Sequence, residues 1–213
     1  MVIAIDGPAA SGKSSVARKL ARRLHFSYVN SGAMYRAVTW ELLREQIDPG
    51  RPERVEAALA RMKFDSGFSE NGDSYIRINT EIPDLELRQI EVNQAVSSYS
   101  AIPAVRNLIG HRLRSMCEGI DVVMEGRDIG TAVFPDSPHK FYLDASPEIR
   151  RRRRAAQGQD DSIEQRDKID STRRVAPLAV ASDAHVVDTS HLDIEGVVER
   201  IAGILKKAGI PAE

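Results

Sequence analysis

Residues 7–14, Gly-Pro-Ala-Ala-Ser-Gly-Lys-Ser, follow the pattern G-x-x-x-x-G-K-[ST]. Glycines let a backbone curl so that successive N–H groups point at phosphate oxygens, and a helix that starts there adds the positive end of its dipole. Lys13 can reach the β- and γ-phosphates, and the Ser14 hydroxyl can bind Mg²⁺. The pattern predicts an ATP-binding loop with Mg²⁺ as the cofactor. Its predicted residues are Gly7, Pro8, Ala9, Ala10, Ser11, Gly12, Lys13, Ser14 and Ser15.

Three further segments, 30–36, 125–131 and 166–174, combine arginine with serine, aspartate or glutamate. A single arginine is more often an exposed surface residue, but these clusters fall at predicted strand ends or beside the last strand. Arginine can hold phosphate oxygens in a bidentate fork, and phosphoryl transfer depends on neutralising charge in one cleft. Glycines beside Ser31 and Arg127 also suggest that the backbone approaches a ligand closely. The clusters predict the site of a phosphorylated acceptor.

The elements that must position these residues are short apolar strands alternating with helices. The predicted helices cover Lys13–Leu24, 35–44, 105–117, Pro147–Ala156 and Ile194–Lys207, and the predicted strands cover Val2–Asp6, 26–29, 122–125, 140–143 and His185–Asp188. Strands that alternate with helices in this way predict an α/β fold with a five-stranded parallel sheet covered on both faces. Open sheets of this kind bind ligands at the carboxyl ends of their strands.

Two segments interrupt this alternation. Residues 46–100 are more polar and contain strand-like runs on either side of Asn71-Gly72, a turn signal that predicts a small hairpin within an insertion. Residues 150–174 carry five consecutive arginines, 150–154, followed by Gln157-Gly-Gln-Asp-Asp161. Such a run is usually a solvated helix face, but its place between two core strands favours a mobile flap. We therefore predict a core of residues 1–45, 101–149 and 175–213, an insertion of 46–100 and a lid of 150–174.

The amino-acid composition excludes several classes of protein and of partner. The chain has 213 residues, 42% of them hydrophobic, and a formal net charge of -1, so no overall basic excess indicates a nucleic acid partner. The single cysteine, Cys117, excludes an internal disulfide and is expected to be a small buried residue. The first residues do not resemble a signal peptide, and no apolar run approaches a membrane span. We expect a cytoplasmic protein without membrane or nucleic acid partners, and a monomer by default.

The motifs together resemble one family. The chain is similar to bacterial-type cytidylate kinases, P-loop nucleoside monophosphate kinases, in residues 7–14, Ser31-Gly-Ala-Met-Tyr-Arg36, Glu125-Gly-Arg-Asp-Ile-Gly-Thr131, Arg166-Asp-x-x-Asp-x-x-Arg173 and Val175-Ala-Pro-Leu178. The resemblance runs from the N-terminus to about residue 190. It implies a P-loop kinase core with an inserted nucleoside monophosphate-binding subdomain and a lid, which is short in this chain. It also implies transfer of the γ-phosphoryl group of ATP to CMP or dCMP.

The resemblance also implies roles for individual residues. Arg36 and Arg127 match positions that clamp the acceptor phosphate, and Ser31, Arg106 and Asp128 match those that read the base. Ser97, Arg166 and Asp170 match positions around the ribose, and Tyr35 lies in the substrate-binding motif. Arg173 and arginines of the 150–154 run match the flap over the phosphates. The expected catalytic set is Lys13, Arg127, Arg166 and Arg173, and Ser14 is the expected Mg²⁺ ligand, with Glu125 acting through water.

Cytosine presents an N4 amino donor beside the N3 and O2 acceptors. A carboxylate at Asp128 would accept from N4, and Arg106 would donate to N3 and O2, whereas uracil would oppose both groups. This chemistry predicts a preference for cytosine. The alternatives are a kinase for another small acceptor, such as UMP, AMP or shikimate, and a P-loop regulator; a guanine-reading Asn-Lys-x-Asp motif is absent from the sequence.

Overall fold

The computed structural model describes residues 1–156, 158 and 163–211. Its main sheet contains the parallel strands β1 (Val2–Asp6), β2 (Ser27–Asn30), β5 (Val122–Gly126), β6 (His139–Asp144) and β7 (His185–Asp188), in the order β2-β5-β1-β6-β7. The predicted α/β fold with five parallel strands is confirmed. The remaining strands, β3 (Phe64–Phe68) and β4 (Ser74–Ile78), form the predicted antiparallel hairpin.

The helices lie between the strands along the chain. They are α1 (Lys13–Leu24), α2 (Ser31–Arg44), α3 (Pro52–Arg61), α4 (Ile90–Ser100), α5 (Pro103–Met116), α6 (Pro147–Ala156), α7 (Ile163–Thr172) and α8 (Ile194–Lys207). None of the helices in the described part of the chain has the length and apolar content needed to span a bilayer.

The sheet separates two apolar layers because side chains alternate between its faces. In β1, Ile3 and Ile5 pack with the buried faces of α1 and α8, whereas Ala4 belongs to the layer formed by α2, α5 and the hairpin. Helix α1 buries the apolar positions that its sequence pattern predicts: Val16, Ala17, Leu20, Ala21 and Leu24. Cys117 is buried, as expected, and burial raises its pKa to about 12.

The hairpin of the predicted insertion is part of the main apolar core. Phe64, Ile76 and Ile78 are buried in the same cluster as Ala4 and Met124 of the central strands. The tip of the hairpin also meets the edge of the sheet, where the Tyr28 amide donates to the Gly72 carbonyl oxygen at 2.8 Å. The division into core, insertion and lid stays a prediction, but the hairpin and the sheet share one hydrophobic layer.

Three helices, α3, α4 and α7, were not expected from the apolar pattern, and α2 begins at Ser31 rather than at residue 35. The Asn30 side chain accepts a hydrogen bond from the Ala33 amide at 3.0 Å and caps α2. Helix α7 buries Ile163, Arg166 and Asp170, so its inward face is mostly charged and shows no apolar period. The predicted lid segment 157–161 lies outside the described residues except for Gly158.

The shared core makes a prediction about stability. Replacing Ile78 with alanine should lower the free energy of unfolding by about 2–5 kcal/mol in a single transition, because a fully buried side chain leaves a cavity in the main layer. Denaturant titration followed by fluorescence and circular dichroism measures this change. Leu85→Ala, at a position 75% exposed, serves as the control and should cost much less. A small effect of Ile78→Ala, or a separate hairpin transition, would contradict the shared core.

Candidate active site

The glycine-rich loop joins β1 to α1 at the carboxyl edge of the sheet. Gly7 has φ +150°, and a Cβ atom there would lie 2.0 Å from the carbonyl oxygen of Leu143, so only glycine fits. Lys13 is buried, and its Nζ donates to the Pro8 carbonyl oxygen at 2.7 Å. Burial lowers the pKa of Lys13 to about 7, and the charge of Arg127 adds to this effect. A phosphate group beside Lys13 would favour its charged form.

Ser14 and Glu125 meet beside this loop. The Ser14 hydroxyl donates to Glu125 Oε1 at 2.8 Å, which links the start of α1 to the end of β5. Mg²⁺ prefers hydroxyl, carboxylate and water oxygens and usually keeps several of its waters. A hydroxyl and a buried carboxylate that share one hydrogen bond therefore fit the predicted ion.

Residues of the predicted lid hold the backbone of Ala9 on both sides of its Cα atom. The Ala9 amide donates to Asp167 Oδ1 at 3.0 Å, and its carbonyl oxygen accepts from Arg150 Nη1 at 3.1 Å. Arg150 and Asp167 also form an ion pair with each other, and both side chains are largely buried. Helices α6 and α7 together fix one residue of the loop.

The arginines of the 150–154 run have different environments. Arg153 donates to the side chain and carbonyl oxygens of Thr189 at 3.0 and 2.7 Å. The Thr189 hydroxyl in turn donates to the Ser11 carbonyl oxygen at 2.9 Å, so this arginine is also connected to the glycine-rich loop. Arg154 lines the large cleft beside the loop. Of these arginines, we therefore regard Arg154 as the candidate for direct contact with a ligand in the cleft.

Asp128, just beyond β5, lies between two arginines. Its Oδ2 pairs with Arg106, and its Oδ1 accepts from Arg173 Nη2 at 3.1 Å. All three residues are buried. Because a buried carboxylate is costly without partners, the two guanidinium groups offset the cost of burying Asp128.

Asp170 forms the second node of this network. Its Oδ2 accepts from Arg127 Nε at 3.1 Å, and its Oδ1 lies 3.6 Å from Arg173 Nη1. Arg173 also donates from Nε to the Ala176 carbonyl oxygen at 2.5 Å, and Ala176 has a positive φ of 48°. The Val175-Ala-Pro-Leu178 motif thus forms a turn that fixes the orientation of the Arg173 guanidinium.

The loop and this network face one cleft of about 990 Å³. Its lining includes most of the residues predicted from the sequence: Ala9, Ala10, Gly12, Lys13, Ser14, Ser15, Ser31, Tyr35, Arg36, Ser97, Glu125, Arg127, Asp128, Arg166, Asp170 and Arg173. Gly7, Pro8 and Ser11 shape the loop without lining the cleft. The cleft is large enough for two bound nucleotides to approach each other.

Arg106 is placed differently from the other predicted residues. It does not line the cleft; it lies behind Asp128, with its guanidinium 5.4 Å from the centre of the Tyr35 ring. Its Nη1 donates to the Ser100 carbonyl oxygen at 3.2 Å. Arg106 therefore holds Asp128 and Tyr35 in place in this structure, and direct contact between Arg106 and a base stays a prediction.

Gly126 was expected to allow close approach of a ligand, but the structure gives another reason for a glycine at this position. A Cβ atom there would lie 2.6 Å from the Ser31 hydroxyl oxygen and 2.7 Å from the Ile129 side chain. The close approach is therefore to protein side chains. The Ser31 hydroxyl also donates to the Glu125 carbonyl oxygen at 2.7 Å, which ties the start of α2 to the end of β5.

Comparison with known proteins decides the family. The cytidylate kinase family model matches residues 3–207. The cytidylate kinase of Rhodococcus opacus (strain B4) is 41% identical over 213 residues, covering 94% of this chain and 93% of the relative. The chain belongs to the cytidylate kinase family. The cytidylate kinase of Mycobacterium leprae (strain Br4923) is 44% identical over 219 residues, covering 97% of this chain and 96% of the relative. A relative of the same name from Clostridium botulinum (strain Okra / Type B1) is 39% identical over 216 residues, with coverage of 96% and 97%.

Several polar residues around the site of this cytidylate kinase family member were missed by the sequence analysis. Asn93 of α4 accepts from Arg36 Nε at 3.4 Å, and Asp167 holds the loop. Tyr28 lines the cleft, with the Arg18 guanidinium 4.9 Å from its ring centre. Asp167 directly follows Arg166 in a quoted motif, so the sequence carried a signal for it. The sequence carried no such signal for Asn93, because α4 was not predicted as a helix.

Crowding of arginines around Arg36 makes a prediction about stability in the absence of anions. Burial, together with the charges of Arg166 and Arg127, lowers the pKa of Arg36 to about 10. Replacing Arg36 with methionine should leave the free energy of unfolding in anion-free buffer unchanged or raise it by about 1 kcal/mol, because like-charge repulsion is relieved. The rise in melting temperature caused by inorganic phosphate should shrink. Both quantities can be measured by thermal and denaturant unfolding.

The control for this experiment is Arg22→Met, at an exposed position of α1 outside the large cleft. It should leave the response to phosphate unchanged. A strong loss of stability in Arg36→Met without anions would show that this guanidinium mainly supports the fold.

Proposed function

We propose that this chain transfers the γ-phosphoryl group of ATP to CMP or dCMP, giving ADP and CDP or dCDP. The observation that carries the proposal is Asp128, a buried carboxylate held by Arg106 and Arg173 in the same cleft as the glycine-rich loop. A carboxylate in this position suits the exocyclic amino group of cytosine. The names of the relatives, cytidylate kinase, agree with this assignment.

On the donor side, residues 7–15 are proposed to bind the phosphates of ATP through their backbone amides, and Lys13 through its ammonium group. Ser14, with Glu125 acting through water, would hold Mg²⁺. When bound, the ion neutralises phosphate charge and helps to align the reacting groups. The Ala9 amide, which now donates to Asp167, is one of the donors that the loop could offer to phosphate.

The reaction needs no covalent nucleophile from the protein. An oxygen of the acceptor phosphate attacks the γ-phosphorus, and the bond to the β–γ bridging oxygen breaks. Because charge spreads over the transferred group and both flanking oxygens, catalysis is mainly positioning and charge neutralisation. Arg127, Arg166 and Arg173 are the proposed catalytic arginines, with Arg36 and Arg127 clamping the acceptor phosphate. The pairing of Arg127 with Asp170 holds its fork in position before substrate arrives.

Recognition of the acceptor is proposed to divide between two neighbouring groups of residues in the cleft. Asp128 and Ser31 would contact the base beside Tyr35, with Arg106 behind them. Ser97 of α4 and Asp170 and Arg166 of α7 would surround the ribose. A polar mismatch in a buried site is costly, so uracil, with a carbonyl oxygen facing Asp128, would bind much less well.

A panel of acceptors tests the function. The purified chain should phosphorylate CMP and dCMP with ATP in a coupled assay that detects ADP, and a chelator of divalent cations should stop the reaction. UMP, AMP and shikimate, the alternatives raised by the motif, should be poor acceptors. Good turnover of one of these compounds without turnover of CMP would refute the proposal.

The role of Asp128 gives a sharper prediction. Asp128→Asn should lower the CMP-to-UMP ratio of kcat/KM by about tenfold to a hundredfold, because the amide offers both a donor and an acceptor where the carboxylate only accepts. Steady-state kinetics with both acceptors measures the ratio. Asp170→Asn is the matched control, since it removes another carboxylate of the same network. It should lower turnover of CMP and UMP alike, and an unchanged ratio in Asp128→Asn would contradict base reading by this residue.

A further inference from the structure

Asp6 is the last residue of β1 and directly precedes the glycine-rich loop. It is 4% exposed, although it is a carboxylate at the end of an otherwise apolar strand. The sheet register places it beside Gly126, one residue before Arg127. Asp6 is therefore next to the glycine-rich loop along the chain and next to the Gly126–Arg127 segment in the sheet.

Both oxygens of Asp6 accept hydrogen bonds from one short segment. Oδ1 accepts from the Ile129 amide at 2.8 Å, and Oδ2 accepts from the Gly130 amide at 2.7 Å. These amides follow Asp128 directly and begin a single turn of π-helix, Ile129–Val133. The first amides of a helical turn lack partners within the turn, so the carboxylate supplies what the turn cannot.

This contact connects residues with different proposed tasks. Arg127 and Asp128 lie between Gly126, which is paired in the sheet, and Ile129, which is bound by Asp6. The two residues are thus fixed at both ends of their backbone. The same β1 residue begins the loop that leads to Lys13. The Asp6 side chain thus connects the donor and acceptor groups directly, in addition to the pairing of β1 with β5.

We propose that Asp6 is a positioning residue, which fixes Arg127 and Asp128 relative to the glycine-rich loop by holding the Ile129 and Gly130 amides. This inference rests on the proposed function, because its effect is read through the acceptor. Asp6 itself need not touch either nucleotide. Its position in the strand makes the distance between the two substrate sites a property of the sheet.

Electrostatics around Asp6 agree with this placement. Burial raises the pKa of Asp6 to about 6, while the two amide hydrogen bonds and the charge of Lys13 act in the opposite direction. The charge of Asp6 likewise favours the protonated form of Lys13. Burying a carboxylate costs free energy, and the two hydrogen bonds from the turn explain why Asp6 is buried there.

Asp6→Asn tests the proposal with almost no change in volume. The amide oxygen can accept from one of the two backbone amides, but its NH₂ group then faces the other donor, so the turn must shift. We expect kcat/KM for CMP to fall by about tenfold to a hundredfold and the preference for CMP over UMP to decrease. The KM for ATP should change by less than about twofold, because the loop keeps its connection to β1.

The matched control is Ser137→Ala. Ser137 is also buried, and its hydroxyl donates to the Val2 carbonyl oxygen at 2.6 Å, at the opposite end of β1 from the cleft. It should lower stability without changing the kinetic constants for CMP or ATP. Melting temperatures of both variants allow the assays to be run where each is folded. If Asp6→Asn affects the constants no more than Ser137→Ala does, Asp6 only supports the fold and the proposal is wrong.

Gly130→Ala tests the same contact from the other side and covers the case in which Asp6→Asn does not fold. The added methyl group would lie 3.4 Å from Asp6 Oδ2 and 3.1 Å from the flexible Lys140 side chain. It should reduce kcat/KM for CMP about threefold while leaving the KM for ATP unchanged. Unchanged acceptor kinetics in this variant would also count against the proposal. If the wild-type chain does not phosphorylate CMP, the proposed function fails instead.

Discussion

The ion pairs that hold arginines in the cleft are the interaction on which the site depends. The arginines proposed to bind phosphate repel one another in its absence, and the buried carboxylates Asp128 and Asp170 offset that repulsion. Each carboxylate pairs with two guanidinium groups, so the network is continuous from Arg106 to Arg127. Because the pairs are buried, removing one partner would leave a costly charge behind. The arrangement therefore holds the guanidinium groups in defined positions before substrate binds.

This network is kept in register with the glycine-rich loop by the sheet. The parallel pairing of β1 with β5 places Asp6 opposite Gly126, and therefore the loop beside Arg127. Parallel strands bring all their carboxyl ends to one edge of the sheet, and the strand order places β1 next to β5. Apolar layers on both faces make that edge rigid, because packed interiors resist small displacements. The distance between the donor and acceptor sites is thus set by the most buried part of the molecule.

Helices α6 and α7, in the predicted lid, are attached to the glycine-rich loop by a different kind of contact. Arg150 and Asp167 bind the two polar backbone groups of a single residue, Ala9, while Arg153 reaches Ser11 through Thr189. These contacts join helices α6 and α7 to the loop through hydrogen bonds, with no residue of α6 fully buried. Hydrogen bonds of this type exchange more easily with ligand or water than apolar packing does. The structure therefore combines a rigid connection through β1 with a polar connection through helices α6 and α7.

The amino-acid sequence by itself determined the glycine-rich loop, the parallel sheet and helices α1 and α8, because these follow from local spacing and apolar periodicity. It also predicted the bounds of α6, which buries no residue. It did not reveal α4, whose buried face mixes apolar and polar residues, or α7, whose buried face is mostly charged. On α4 that face carries Asn93 and Ser97, and on α7 it carries Arg166 and Asp170. A helix that turns a functional face inward loses the apolar stripe by which helices are recognised.

Only the tertiary structure decided which charges meet. The hydrogen bond from Ile129 to Asp6 joins residues 123 positions apart. Arg106 of α5 pairs with Asp128, which follows β5. The residue types were visible in the sequence, and the family motifs placed most of them in one site. Their partners were not, because strand order and register bring distant segments together. The sequence thus specified the chemistry available to this protein, and the fold decided which groups hold the others in place.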